Sequence, residues 1–176
     1  QLIDKNKQLG SFVDLLVSNS PNPIFHKNAN LKYLGGNKLF EELVGLPLAA
    51  IFDKTDHDIF PKEIAAFSTQ KDYELLHKDN KEHQVYTCKM RSKFNSNEME
   101  VMVYKSPIFG ADDEINGIIG TIIDLTEYLK ARRSASLFEA VLNETATPIF
   151  IMNENDVVVF ANKTLLNKLD LLQEEV

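Results

Sequence analysis

Residues 22–40 read NPIFHKNANLKYLGGNKLF, and residues 147–165 read TPIFIMNENDVVVFANKTL. A shift of 125 positions, without a gap, lays Pro148 on Pro23, Ile149 on Ile24, Phe150 on Phe25, Asn153 on Asn28, Asn155 on Asn30, Asn162 on Asn37 and Lys163 on Lys38. The lead-ins agree in character: FVDLLVSNS (12–20) lies over LFEAVLNETA (137–146), with apolar residues at helical spacing in both. A repeat whose period matches one small domain, rather than one solenoid unit, predicts a complete module followed by the opening of a second copy.

The totals set outer bounds. With 44% hydrophobic and 26% charged residues, the chain can build one proper core in its first 130 residues or so, and too little remains for another. A start at Gln1 and an end soon after the second copy opens lead to the expectation of a segment excised from a longer protein. The formal charge of −7 and the lack of any long basic run argue against nucleic acid or an anionic membrane as partner; Lys130, Arg132 and Arg133 make only a short patch. One cysteine, Cys88, supports neither a disulfide framework nor a thiolate metal cluster, which fits a reducing, cytoplasmic setting. No apolar run reaches the length of a membrane span, and none resembles a signal peptide.

Along the chain, Leu2, Leu9, Phe12, Val13 and Leu16 form one stripe of an N-terminal amphipathic helix. Two short strands are predicted at 24–27 and 31–34, joined through Asn28-Ala29-Asn30, after which Gly35-Gly36-Asn37 breaks the extended chain. A brief helix at 38–44 stops at Gly45. In KTDHDIFPKEIAAF (54–67), Asp58 is expected to cap a helix with Pro61 in its first turn, running to about His77 with Ile64, Phe67 and Leu75 inward. Three antiparallel strands follow at 83–91, 98–109 and 116–125, the first two linked through Asn95-Ser96-Asn97. In the last, Ile118 and Ile122 point one way and Ile119 and Ile123 the other, so the back of the sheet also needs cover, and the N-terminal helix of this chain or of a partner is expected to supply it. Thr126 then caps a long helix that leads into the second copy.

This order of elements resembles the PAS (sensory box) domain. SPNPIFHKNANLKYLGGNKLFEELVG (20–45) resembles its opening hairpin and first helix, KTDHDIFP (54–61) the loop into its long helix, and GIIGTIIDLTEYLKARR (117–133) its last strand and exit. Gly36 departs from the family, which usually has an apolar or aromatic residue there. The resemblance implies an α+β fold: a five-stranded antiparallel sheet with helices on one face, flanked by N-terminal and C-terminal connector helices. It also implies a small pocket, frequent dimers, and an output domain downstream in the same chain. The family's terminal Asp-x-Thr, which couples the sheet to the outgoing helix, falls on Asp124 and Thr126. The competing reading of that pair is an ordinary helix cap. The expected divisions are 1–19 for the N-terminal helix, 20–127 for the domain, 128–145 for a connector helix, and 146–176 for a truncated second repeat.

Candidate pocket residues are His26, Phe40, Phe60, Ile64, Phe67, Tyr86, Cys88, Met90, Tyr104 and Ile122. His26 lies under Ile151 in the repeat, which suggests an inward side chain, read first as a core histidine satisfied by a backbone carbonyl and second as a ligand contact. Tyr86, Cys88 and Met90 share one strand face, and Tyr86 with Tyr104 can present hydroxyls to the pocket or simply fill it. The cofactor is unknown, and two are argued against. Haem needs an axial histidine facing the pocket, whereas the long helix offers only His77 at its solvent-side end, with His57 in a charged loop and His83 at a strand start. A photoactive flavin needs a reactive cysteine on a helix, whereas Cys88 sits on a strand between Thr87 and Lys89 and reads as a small core residue. Asp56, His57 and Asp58 are consecutive and rarely converge on a metal. Neither Gly35-Gly36 nor Gly117-x-x-Gly120 makes a phosphate loop, and no nucleophile–base pair stands out, so no catalytic residue is expected.

These readings converge on a non-catalytic sensory input module, responding to a small-molecule ligand or a partner, in a sensor histidine kinase. One alternative host is a diguanylate cyclase or phosphodiesterase. Another reading is a structural homodimerisation module that packs Leu2, Leu9, Phe12 and Leu16 against a second protomer. The strands of the second copy, 149–152 and 157–160, are expected to form a hairpin docked on the first module or a neighbouring chain.

Overall fold

The computed structural model describes residues 2–77, 82–92 and 97–170; within the first helix it describes the side chains of Gln8 and of residues from 10 onward. The chain divides into two compact units, Gln1–Thr126 and Glu127–Val176. The first holds α1 (Leu2–Ser18), β1 (Ile24–Asn28), β2 (Tyr33–Gly36), α2 (Lys38–Val44), α3 (Leu48–Ile51), α4 (Asp56–Ile59), α5 (Lys62–Leu76), β3 (Gln84–Arg91), β4 (Glu98–Phe109) and β5 (Ile115–Asp124). Its five strands form one antiparallel sheet in the order β2-β1-β5-β4-β3. The α+β architecture expected from the sequence is the one observed.

The hairpin begins later than its pattern suggests. Asn28 turns the chain by accepting, at Oδ1, the N–H groups of Asn30 and Lys32. That turn consumes residues 29–32 and sets Leu31 at φ 60°, a left-handed conformation uncommon for such a side chain. Burial of Leu31 against Leu75 and Ile118 offsets the strain. The second strand is therefore Tyr33–Gly36 rather than 31–34, and Gly35 and Gly36 pair with His26 and Phe25 instead of breaking the chain. Gly36 has a packing reason: a Cβ there would lie 2.7 Å from the Ile24 carbonyl oxygen and 2.9 Å from the Phe40 ring.

Helix α2 starts at Asn37, whose Oδ1 accepts from Phe40 N–H, and stops at the left-handed Gly45. Asp58 does not cap the long helix: α5 starts behind Pro61, which stands at the N-cap with no side-chain cap bond, and Asp58 belongs to the preceding α4, whose cap is Thr55. Asp58 plays the reciprocal part, accepting at Oδ2 from the N–H and hydroxyl of Thr55, while Asp56 turns inward. The main core gathers Phe25, Tyr33, Phe40, Val44, Ile51, Ile59, Val101, Val103 and Ile122. Three of its rings, Phe25, Tyr33 and Phe40, pack with centroids 5.2–5.7 Å apart.

Of the two covers expected for the back of the sheet, this chain's own helix or a partner's, the first is not seen among the described residues. In this chain α1 leaves Phe12, Val13, Leu15 and Leu16 exposed, and Ile119 on the outer face stays 42% exposed. The side chains of Leu2 and Leu9 lie outside the described residues, as does most of the turn expected at 95–97.

The second unit carries most of α6 (Thr126–Glu144), then β6 (Phe150–Met152), β7 (Val158–Ala161) and α7 (Lys163–Leu169). Strands β6 and β7 make the expected hairpin, but as a separate two-stranded sheet, with Phe150, Ile151 and Met152 exposed.

Candidate functional site

A cavity lies between α5 and the inner face of the sheet. Phe60, Ile64, Phe67 and Ser68 form its helical side; Phe25, Tyr33, Tyr86, Cys88, Met90, Val103, Lys105 and Ile122 come from the strands, and Phe40 from α2. The space open to the centre of a water molecule is about 30 Å³, room for roughly two waters. Its walls are apolar and largely aromatic, with Phe67 and Tyr86 packed edge to face at 5.3 Å. The polar end is made by Lys105, Ser68 and Tyr86. Lys105 Nζ donates to Ser68 Oγ at 3.0 Å and lies over the Tyr86 ring, 5.4 Å from its centroid. Burial, with the negative charge of Asp72 behind it, holds the Tyr86 phenol well above its ordinary pKa.

Eight of the ten expected pocket residues meet here: Phe40, Phe60, Ile64, Phe67, Tyr86, Cys88, Met90 and Ile122. The other two do not. His26 faces the opposite side of the sheet, because strand alternation turns its neighbours Phe25 and Lys27 inward. Its ring lies over Gly35, where a Cβ would come within 2.7 Å, and partial burial lowers its pKa. Tyr104 likewise points outward, since Val103 and Lys105 take the inner parity, and it stacks on His83 at 4.9 Å. Cys88 is half-buried, and burial pushes its thiol pKa up. His57 is exposed on α4, and His77 lies at the exposed end of α5.

Behind the polar end lies a cluster that the sequence reading missed. Lys27 Nζ donates to Asp56 Oδ1 at 2.7 Å and Asp72 Oδ2 at 2.6 Å; Lys105 Nζ donates to Asp72 Oδ1, and Tyr33 OH to Asp56 Oδ1. All five side chains are buried. Two ammonium and two carboxylate groups cancel, which is how charges become tolerable inside a core. Burial alone would raise Asp56, but the charge and hydrogen bond of Lys27 and the Tyr33 hydroxyl outweigh it and leave the carboxyl below the ordinary aspartate value. Tyr33 is pushed well up by burial and then by Asp56. The cluster ties α4 and α5 to β1, β2 and β4 across the core. One signal for it exists in the sequence: Lys105 shares the inward parity of Val101 and Val103, and Asp72 follows Ala65 by seven residues on α5.

At the other end of β5, Asp124 Oδ1 accepts the Thr126 N–H at 2.8 Å, holding the first turn of α6. The Thr126 hydroxyl does not cap the helix as expected. It accepts from Glu100 N–H at 3.0 Å, and Leu125 N–H donates to the Glu100 carbonyl, so this corner is laced to β4. Ile122 lines both the cavity and an open groove of about 230 Å³ that reaches Leu39, Leu43, Met99 and Asp124.

A five-stranded antiparallel sheet roofed by α5 around a small internal cavity is the architecture of a sensory-domain fold, and the sequence agrees: the PAS fold family model matches residues 17–129. The chain belongs to that family. Among solved structures it is similar to the phage VqmA–DPO complex, with 19% identity over 83% of this chain and 66% of that one and a TM-score of 0.58. It is also similar to a PAS domain from Colwellia psychrerythraea, with 13% identity over 68% and 98% of the two chains and a TM-score of 0.57. A third similar structure is the PAS domain of an HTR-like protein from Haloarcula marismortui, with 16% identity over 69% and 95% and a TM-score of 0.54. The chain thus spans just under two thirds of the VqmA chain. A search of curated proteins finds no match. As a PAS domain the segment is a non-catalytic sensory module, and no helix among the described residues is long and apolar enough to cross a membrane.

Proposed function

We propose that the 17–129 domain senses a small molecule in the cavity beneath α5 and passes the change to α6 through the end of β5. One observation carries this reading: Ile122, a wall of the cavity, stands two residues before Asp124, whose carboxylate holds the first turn of α6. A ligand that displaces the Ile122 wall strains the Asp124–Thr126 contact, and only a ligand preferring one arrangement shifts the balance between the two. The cavity favours a compact, flat, largely apolar molecule with one hydrogen-bonding group for Lys105, Ser68 or Tyr86. Phage VqmA, whose structure holds DPO, gives a ligand-bearing example of this fold.

The host favoured by the sequence reading is a sensor histidine kinase, with a diguanylate cyclase or phosphodiesterase as alternative; either takes its signal along an exit helix such as α6. Native mass spectrometry of the purified protein is expected to reveal a retained small molecule, and Asp124→Ala in the protein with its output domain is expected to abolish the response while leaving ligand binding intact. An unchanged stimulus response in that variant defeats the coupling role.

The second reading is a dimerisation module without ligand, favoured by the exposed Phe12, Val13, Leu15 and Leu16 of α1. Light scattering separates the two: under this reading Leu16→Asp converts a dimer to a monomer, and no bound molecule is found.

A further inference from the structure

The aromatic walls of the cavity beneath α5 suit, on shape alone, a cation, a neutral ring or an apolar anion; the charges around them separate the three. Six aromatic residues line it: Phe25, Tyr33, Phe40, Phe60, Phe67 and Tyr86. Four of them already face a lysine. Lys27 Nζ stands 4.6 Å from the Tyr33 centroid and 5.7 Å from that of Phe25, Lys105 Nζ 5.4 Å from Tyr86, and Lys71 Nζ 5.8 Å from Phe67. An aromatic cage holds a cation through the negative faces of its rings. Here those rings answer the protein's own ammonium groups, which also repel a second positive charge at close range.

An anion fares no better. Lys105 is the one charged side chain among the described residues that line the cavity, and an ammonium group has three protons to give. The Ser68 carbonyl, Ser68 Oγ and Asp72 Oδ1 accept them. The Tyr33 hydroxyl is committed to Asp56 Oδ1. Behind these groups Lys27 and Lys105 balance Asp56 and Asp72 charge for charge, and Asp56 Oδ2 is buried with no hydrogen-bond partner among the described residues. The cluster is therefore short of donors, and a ligand carboxylate could win Lys105 only by drawing it away from the buried Asp72. A net charge brought into this space meets no free counter-ion, and a core resists an uncompensated charge more than any other group.

We propose that the cavity selects by charge: it takes neutral molecules with a flat apolar body and one hydroxyl- or carbonyl-type group, and it rejects organic cations and carboxylates of the same shape. Ser68 and Tyr86 receive the polar group, because a hydroxyl both donates and accepts. Lys105 is the fixed positive wall that turns cations away, not the ligand's hydrogen-bond donor. Room for the apolar body comes from displacement of Ile122, the wall shared with the open groove. This inference narrows the sensing reading given above and rests on it.

Benzyl alcohol, benzylammonium and benzoate are probes of matched shape that differ in charge at neutral pH. Each is titrated into the 176-residue chain and followed by the methyl resonances of Ile64 and Ile122. Benzyl alcohol is expected to give saturable shifts, with benzylammonium and benzoate at least about 100-fold weaker. Lys105→Met leaves the cluster one negative charge in excess, and it is expected to bring benzylammonium within about 10-fold of benzyl alcohol while benzoate stays excluded. Circular dichroism checks the fold of that variant, and the titrations of the parent protein decide without it. Benzylammonium or benzoate binding the parent as tightly as benzyl alcohol overturns the charge selectivity, as does the lack of any shift with benzyl alcohol. Native mass spectrometry judges the sensing reading separately: a retained molecule that carries a net charge upholds the sensing site and overturns this inference, whereas a retained neutral one supports both.

Discussion

Lys27 and Asp72, 45 residues apart in the chain, form an ion pair of 2.6 Å with both side chains fully shielded from solvent. Asp72 also holds Lys105, so one carboxylate on α5 neutralises two ammonium groups from β1 and β4. Such a pair is weak evidence for net stabilisation, since desolvating the ions offsets their attraction, but losing one partner strands a buried charge.

Asp72→Ala therefore should cost about 3–5 kcal/mol of unfolding free energy. Urea denaturation followed by circular dichroism measures it. Lys32→Ala is the contrast: its pair with Asp53 lies in solvent, and the midpoint should hardly move.

The same cluster sets an acid limit. Asp56 titrates below its ordinary value in the folded protein, so the unfolded chain takes up the proton first as pH falls. Its contribution is complete above the unfolded value, about 3.9, and is lost as pH drops through the lower folded value. The slope of stability against pH below about 4 should be shallower in Asp56→Asn than in the parent protein, by thermal unfolding across a pH series.

Gly120→Val should destabilise the first unit by about 1–3 kcal/mol or more, because the new side chain meets the Phe25 ring rather than a flexible end. Phe25→Ala, which empties the same space, should recover part of the loss in the double variant, a coupling read from a double-mutant cycle.

Asn37→Ala should remove the cap of α2 and the bonds that tie the end of α1 to the hairpin, for a loss of about 1–3 kcal/mol. Asn162→Ala should do the same to the second unit alone. Exchange protection is expected to fall within residues 1–126 for the first variant and within 127–170 for the second.

The two outward residues, His26 and Tyr104, mark where sequence reading reached its limit. A sequence reading puts each one position out of phase on its strand, because in the true phase Lys27 and Lys105 occupy the inner face, and lysine is a residue such a reading assigns to solvent. In KTDHDIFP, Asp56 is one of three consecutive acids and bases with nothing local to set it apart, yet it is buried while His57 and Asp58 are not.

The sequence by itself determined the family, the order of elements, the period of 125 residues and most of the aromatic cavity wall, because hydrophobic periodicity, turn asparagines and glycine stops act over a few neighbouring residues. Only the tertiary structure decided which lysines and aspartates lie inside. A charge is admitted to a core when opposite charges from distant strands and helices arrive within hydrogen-bonding distance, and that meeting of Lys27, Asp56, Asp72 and Lys105 is written in no local stretch of the chain.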